Sequence, residues 1–186
     1  QAHDRPCALA RAQVGAAVDA ARQAAAALGI ENCSTYTQVV VGSQGAKVVE
    51  LAARLGGGHD AELCEAALGV DLNELALAAA LGEPIPAQVL APLEPAGGAV
   101  TQFLTAPPGE LRAVEGVDEA LAVEGVARAR IYRTPGWRFG ELRIGSDRAG
   151  AVQAVGDSRA QALERAAAAA ERIRFVTADV DAKALA

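Results

Sequence analysis

The chain holds 186 residues, of which 52% are hydrophobic, 22% charged and only 3% aromatic. That is a globular composition, long enough for one large domain or two small ones, with a core built from Ala, Val and Leu. A formal net charge of −6 and the shortage of aromatic rings exclude a nucleic-acid surface, and no apolar run reaches the length of a membrane span.

Cys7, Cys33 and Cys64 are an odd, sparse set without metal-site spacing, so they read as reduced thiols of a cytoplasmic protein. The chain opens at Gln1 and contains no methionine, which suggests a piece of a longer polypeptide.

In chain order, Val14, Val18, Ala21, Ala25 and Leu28 recur at helical spacing and predict an amphipathic helix over 8–28, closed by Gly29. The β-branched run from Ser34 to Gly42, the loop Ser43-Gln44-Gly45 and the run from Ala46 to Ala53 predict a hairpin with a three-residue loop. In that register Gly42 faces Ala46, Val40 faces Val48 and Gln38 faces Glu50. Short helices follow over 61–68 and from Asp71 to Gly82, the second with Asp71 and Glu74 as a capping box and Leu72, Leu75 and Ala79 inward. A stretch with four prolines and two glycines, Glu83 to Gly98, marks a boundary. Beyond it strands are predicted over 99–105, 110–114, 126–133 and 150–156, and a short helix over 117–122. A final helix, capped by Asp157-Ser158, turns Leu163, Ala166, Ala170 and Ile173 inward. Strands mixed with one long helix give an α+β class.

The stretch from Val48 to Asp60 carries the chemistry. Glu50 lies between Val48 and Ala52 on one face of an otherwise apolar strand, and a carboxylate buried there needs a cation. Arg54, on the same face by strand parity, is one candidate. A bound Mg²⁺ is the other, with Gln38 supplying a neutral oxygen opposite. Gly56-Gly57-Gly58 ahead of a helix offers bare N–H groups to an anion, but it is neither a phosphate-binding loop with its lysine nor a dinucleotide fingerprint. His3 and His59 stand too far apart in sequence to predict a metal site, and each reads as a surface or capping residue. Arg128 and Arg130 share a strand face that is most simply solvated, and Trp137 sits in a turn after Thr134-Pro-Gly136.

Together, Thr35-Tyr-Thr-Gln-Val-Val-Val, Val49-Glu-Leu-Ala-Ala-Arg-Leu-Gly-Gly-Gly-His-Asp60 and Gly69-Val-Asp-Leu resemble the C-terminal part of an ATP-grasp carboxylate–amine ligase, in the L-amino-acid ligase and carnosine-synthase-like subgroup. The likeness runs from His3 and Pro6 through Pro107-Pro-Gly109, Gly125-Val126, Asp147-Arg-Ala-Gly150 and Gly156-Asp-Ser-Arg-Ala-Gln-Ala162. It implies an ATP-grasp C-terminal lobe portion (an antiparallel hairpin with helices) over 1–86, a linker over 87–98, a small α+β subdomain over 99–178 and a tail over 179–186.

The resemblance also implies a chemistry. ATP phosphorylates a substrate carboxylate, an amine attacks the acyl phosphate, and Mg²⁺ spreads the phosphate charge. Glu50 matches the second metal ligand and Arg54 the arginine on the transferring phosphoryl group. Gly57, Gly58 and His59 match the loop beside the substrate, and His3 a substrate-contacting histidine. The first metal ligand, usually glutamate, is Gln38 here, and Ala52 stands where many members have asparagine. Nothing in the chain matches the lysine-bearing lobe that clamps ATP, since Lys47 and Lys183 are its only lysines. The expected partner is therefore an N-terminal ATP-grasp half, in the same or a separate chain, with small carboxylate and amine substrates. The isolated chain is expected to be inactive, and the surface bared toward that half to favour a homodimer. A non-catalytic binding or assembly module and one half of a split enzyme are the alternatives.

Overall fold

The computed structural model describes residues 2–5, 8–86, 88–89 and 97–178. Most of the expected 87–98 boundary, the 179–186 tail and Cys7 lie outside the described residues. The chain divides into two compact units, one formed by Cys7–Glu94 and the other by Gln1–Pro6 together with Pro95–Ala186.

In the first unit α1 (Arg11–Ala27) packs on a hairpin of β2 (Tyr36–Gly42) and β3 (Gly45–Ala52), and α2 (Asp60–Leu68) and α3 (Leu72–Leu81) follow. Helix α1 stops where Gly29 takes φ +66° and the Ile30 N–H turns back to the Ala25 carbonyl. Its half-buried stripe is Val14, Ala17, Ala20, Ala21, Ala24 and Ala25, which keeps Val14, Ala21 and Ala25 of the expected face but leaves Val18 and Leu28 exposed. Helix α3 starts at Asp71, whose carboxylate accepts the N–H groups of Asn73 and Glu74, and ends at Gly82.

The hairpin turn is tighter than the sequence predicts. Gly42 pairs with Gly45 across a two-residue turn, so Val41 faces Ala46 and Val40 faces Lys47. A bulge then takes up one residue at Val49 and returns Gln38 to its place opposite Glu50.

In the second unit a four-stranded antiparallel sheet runs in the order β1-β4-β8-β6: β1 (Ala2–Arg5), β4 (Gly98–Leu104), β8 (Gly150–Gly156) and β6 (Val126–Ile131). Helix α5 (Arg159–Arg172), capped by the Ser158 hydroxyl, lays Ala162 and Ala166 against Val100 and Ala154 on one face of it. A smaller sheet of β7 (Arg138–Phe139), β5 (Gly109–Glu115) and β9 (Arg174–Ala178), with α4 (Val117–Leu121), surrounds a core of Leu104, Leu111, Ala120, Phe139, Val152, Ile173 and Phe175. Antiparallel sheets with helices confirm the expected α+β class. The core of α5 runs through Ala162, Ala166 and Ala169, with Leu163 and Ala170 only partly buried.

Candidate functional site

The hairpin has two unlike faces. Thr37, Val39, Val41, Ala46 and Leu51 alternate onto the half-buried side. The other side carries Tyr36, Gln38, Val40, Lys47, Glu50 and Ala52, and on it Gln38, Val40, Lys47 and Glu50 are exposed. The bulge parts Glu50 from Val48, which pairs with Val39 on the opposite face. Glu50 is therefore not a buried carboxylate in an apolar stripe. It is an exposed one on an open face.

Arg54 is not its ion-pair partner. Strand β3 ends at Ala52 and the chain turns, with the Arg54 N–H bonded back to the Ala52 carbonyl. The guanidinium donates to the Leu55 carbonyl at 2.8 Å, and among the described residues no salt bridge joins it to Glu50. Both charged groups are left presented at the end of the hairpin.

Gln38 is fixed by its neighbour two residues back, its Nε2 donating to the Tyr36 hydroxyl at 3.0 Å. That bond turns the amide oxygen into the available group. Behind Tyr36 sits Gly56, where a Cβ would overlap the Tyr36 ring and the Asp60 carboxylate. A Cβ added at Gly57 would meet nothing within 4 Å, whereas Gly58 (φ +82°) and His59 (φ +66°) are both left-handed and turn the chain into α2. His59 Nδ1 lies 3.3 Å from Glu62 Oε1, so the ring braces the first turn of α2 without capping it.

Gln38, Glu50, Arg54 and the glycine loop thus gather in one unit. His3 belongs to the other, on β1 opposite Thr101, its ring edge-on to Phe103 at 5.1 Å.

A carboxylate and an amide oxygen in register are the hard oxygen donors Mg²⁺ takes, and two protein ligands suit an ion that keeps water and phosphate oxygens in its other positions. Among the described residues no three of His, Cys, Asp and Glu gather, so a closed all-protein cage is absent there. The donor set fits one weakly held ion. A groove of about 700 Å³ lies in the same unit, lined by Asn32–Thr35, Leu55, the Leu72, Leu75 and Ala79 face of α3, and Gly82–Ile85. Sequence reasoning gave that helix face without the groove. Cys33 is exposed and Cys64 buried, with no disulfide between them, and no helix among the described residues is long and apolar enough to cross a membrane.

This hairpin, its glycine loop and the sheet-and-helix unit after them share the fold of the C-terminal part of ATP-grasp ligases. An L-amino acid ligase from Bacillus licheniformis superposes with a TM-score of 0.84 over 96% of this chain and 44% of its own, at 18% identity. Phosphoribosylglycinamide synthetase from Anaerococcus prevotii gives 0.81 over 95% and 45%, at 13% identity. N5-carboxyaminoimidazole ribonucleotide synthetase from Thermotoga maritima gives 0.71 over 95% and 46%, at 22% identity. At those identities the likeness is one of fold. More specifically, residues 102–178 match the family model of the L-amino acid ligase C-terminal domain 2. The uncharacterized protein y4rH of Sinorhizobium fredii is 30% identical over 157 residues, 84% of this chain and 32% of that protein. The chain therefore spans about a third of that curated relative and under half of each of the three solved structures.

Proposed function

We propose that the chain is the C-terminal part of an ATP-dependent ligase that joins the carboxylate of an amino acid to an amine. The observation that carries this is the pairing of Gln38 with Glu50 on an open strand face, with Arg54 and the glycine loop at the end of the same strand. In the reaction a carboxylate oxygen takes the γ-phosphoryl group of ATP, releasing ADP. The amine nitrogen then adds to the acyl carbon, phosphate leaves with the C–O bond, and the nitrogen loses a proton. Bound Mg²⁺ would neutralise phosphate charge, with Glu50 and Gln38 as its protein ligands. Arg54, a planar donor with Nη2 still to offer, would face the phosphoryl oxygens and the tetrahedral intermediate. The N–H groups of Gly57 and Gly58 would line the substrate, with His59 beside them.

This unit of the fold is thinly packed. Its buried hydrophobics among the described residues are Ala61, Leu63, Cys64 and Ala67, all on α2. A lobe in that condition supports a partner: an N-terminal half carrying the lysines that hold ATP, without which the chain has no turnover. We read the setting as cytoplasmic, in keeping with the sparse cysteines of the sequence.

The test is ADP release by the parent protein with amino acids as acid and amine substrates. Glu50→Gln and Arg54→Ala should each lower kcat at least a hundredfold with the melting temperature unchanged. Undiminished turnover in both sinks the assignment.

The neutral Gln38 favours one second reading, a binding or assembly module that keeps the fold without turnover. Mg²⁺-dependent ADP release by the parent excludes it, while copurification of a separate lysine-bearing lobe identifies a split enzyme.

A further inference from the structure

The groove beside α3 takes no part in the reaction proposed above. Helix α3 is almost wholly apolar, yet it has no buried residue. Its inner face of Leu72, Leu75 and Ala79 stops half-buried and, with Leu55 and Ile85, forms the groove's floor. A volume of about 700 Å³ is of the size that takes a small organic molecule, and such sites set a few polar groups on an apolar floor. Asn32, Ser34 and Thr35 supply the neutral groups, and Glu83 is the one ionised side chain of the lining. Among the described residues none of these four side chains has a hydrogen-bond or ion-pair partner. The backbone holds Glu83 in place: Gly82 takes φ +71° and the Glu83 N–H bonds back to the Ala78 carbonyl at 2.9 Å. The surroundings have the same sign. From Leu55 to Glu94 the sequence has seven acidic residues and no lysine or arginine, and Cys7–Glu94 as a whole has ten acidic and four basic. The chain's entire net charge of −6 therefore falls on the unit that contains the groove.

We infer that this groove binds a small organic cation, an ammonium group on an apolar body, with the ammonium at Glu83 and the body on Leu72, Leu75 and Ala79. A carboxylate or phosphate would meet no counter-charge in the lining, whereas a cation meets Glu83 and the field of the neighbouring carboxylates. No lining residue is aromatic, so oxygen atoms and not a ring face receive the ammonium. The inference stands apart from the ligase assignment, since Gln38, Glu50 and Arg54 do not line the groove.

Its test is an NMR titration of the whole chain with hexylammonium chloride, against hexanol, sodium hexanoate and ammonium chloride at matched ionic strength. The methyl resonances of Leu72, Leu75 and Ile85 should move saturably with hexylammonium and not with ammonium chloride. Because an exposed ion pair contributes modestly, hexylammonium should bind at least threefold more tightly than hexanol, and hexanoate more weakly than either. Glu83→Gln, at an exposed position, should lower hexylammonium to the affinity of hexanol and leave hexanol unchanged. The wild-type series decides the matter even if the variant fails to fold. No saturable shift, hexanoate or hexanol binding as tightly as hexylammonium, or a Glu83→Gln chain that binds hexylammonium undiminished overturns the inference. So do the same methyl shifts produced by raising the protein concentration alone, because a second copy of the chain then covers the groove.

Discussion

Between the Tyr36 ring and the Asp60 carboxylate there is room at Gly56 for a hydrogen and no more. Gly56→Ala must push Tyr36 aside, and with it the hydroxyl that fixes Gln38. Overpacking of this kind costs about 1–3 kcal/mol. Gly57→Ala, next door in open space, should be near neutral, and a pair of denaturant midpoints checks the contrast. Gln38→Glu makes the opposite kind of change. It sets a second carboxylate across from Glu50, so Mg²⁺ should bind several-fold more tightly, while the metal-free hairpin loses stability to like-charge repulsion. Calorimetric titration and melting with and without Mg²⁺ read the two signs. The Gln38–Glu50 pairing was legible in the sequence because both strands are strongly β-branched. Its route was not: a two-residue turn plus a bulge gives the same end pairing as a three-residue turn without one. Patterning alone gave Glu50 a buried face, because a bulge that moves Val48 to the other side leaves no mark in composition.

At the scale of elements, strands were readable where they are long and apolar. Strands β4, β5, β6 and β8 lie where Val, Ala and Phe alternate between glycines and prolines. Strands β1, β7 and β9 were not foreseen. The first is four residues, Ala-His-Asp-Arg, held by a partner more than 90 positions away, and the second is only two residues long. Such strands exist through pairing, a tertiary cause that local propensity does not contain. The loop from Gly140 to Ala149 is tied by Asp147, whose carboxylate accepts the N–H groups of Arg143 and Ile144 at 2.9 Å each. Those backbone bonds, helped by the Arg143 and Arg133 charges, hold its pKa below the ordinary 3.8. A depressed carboxylate adds stability that is present above its unfolded pKa and lost as pH falls through the folded one. Asp147→Asn should therefore loosen this loop at about pH 7 and match the wild type once both are acidified below that folded pKa. Amide exchange of Arg143 and Ile144 at the two conditions measures it.

At the scale of the whole molecule, the return of β1 to the second unit left no mark in the sequence pattern. The chain begins one sheet at Ala2, builds an entire unit, and resumes that sheet at Gly98. The two units also differ in completeness. The second surrounds two buried clusters, whereas the hairpin of the first is a sheet of two strands with Val40 and Val49 59% and 64% exposed. Exposed β-branched residues on a short sheet with free edges favour pairing with another chain. The isolated chain should therefore self-associate through this hairpin at high concentration. Sedimentation velocity across a concentration series should show a shift toward dimer, and Val40→Lys with Val49→Lys should abolish it while leaving the fold of the second unit intact. If the N-terminal half of an ATP-grasp ligase is what normally meets the hairpin, adding that half should dissolve the homodimer as well. A chain that stays monomeric at every concentration would mean that Lys47 and Glu50, interleaved with the valines on the same strand, already suffice to keep the edge apart.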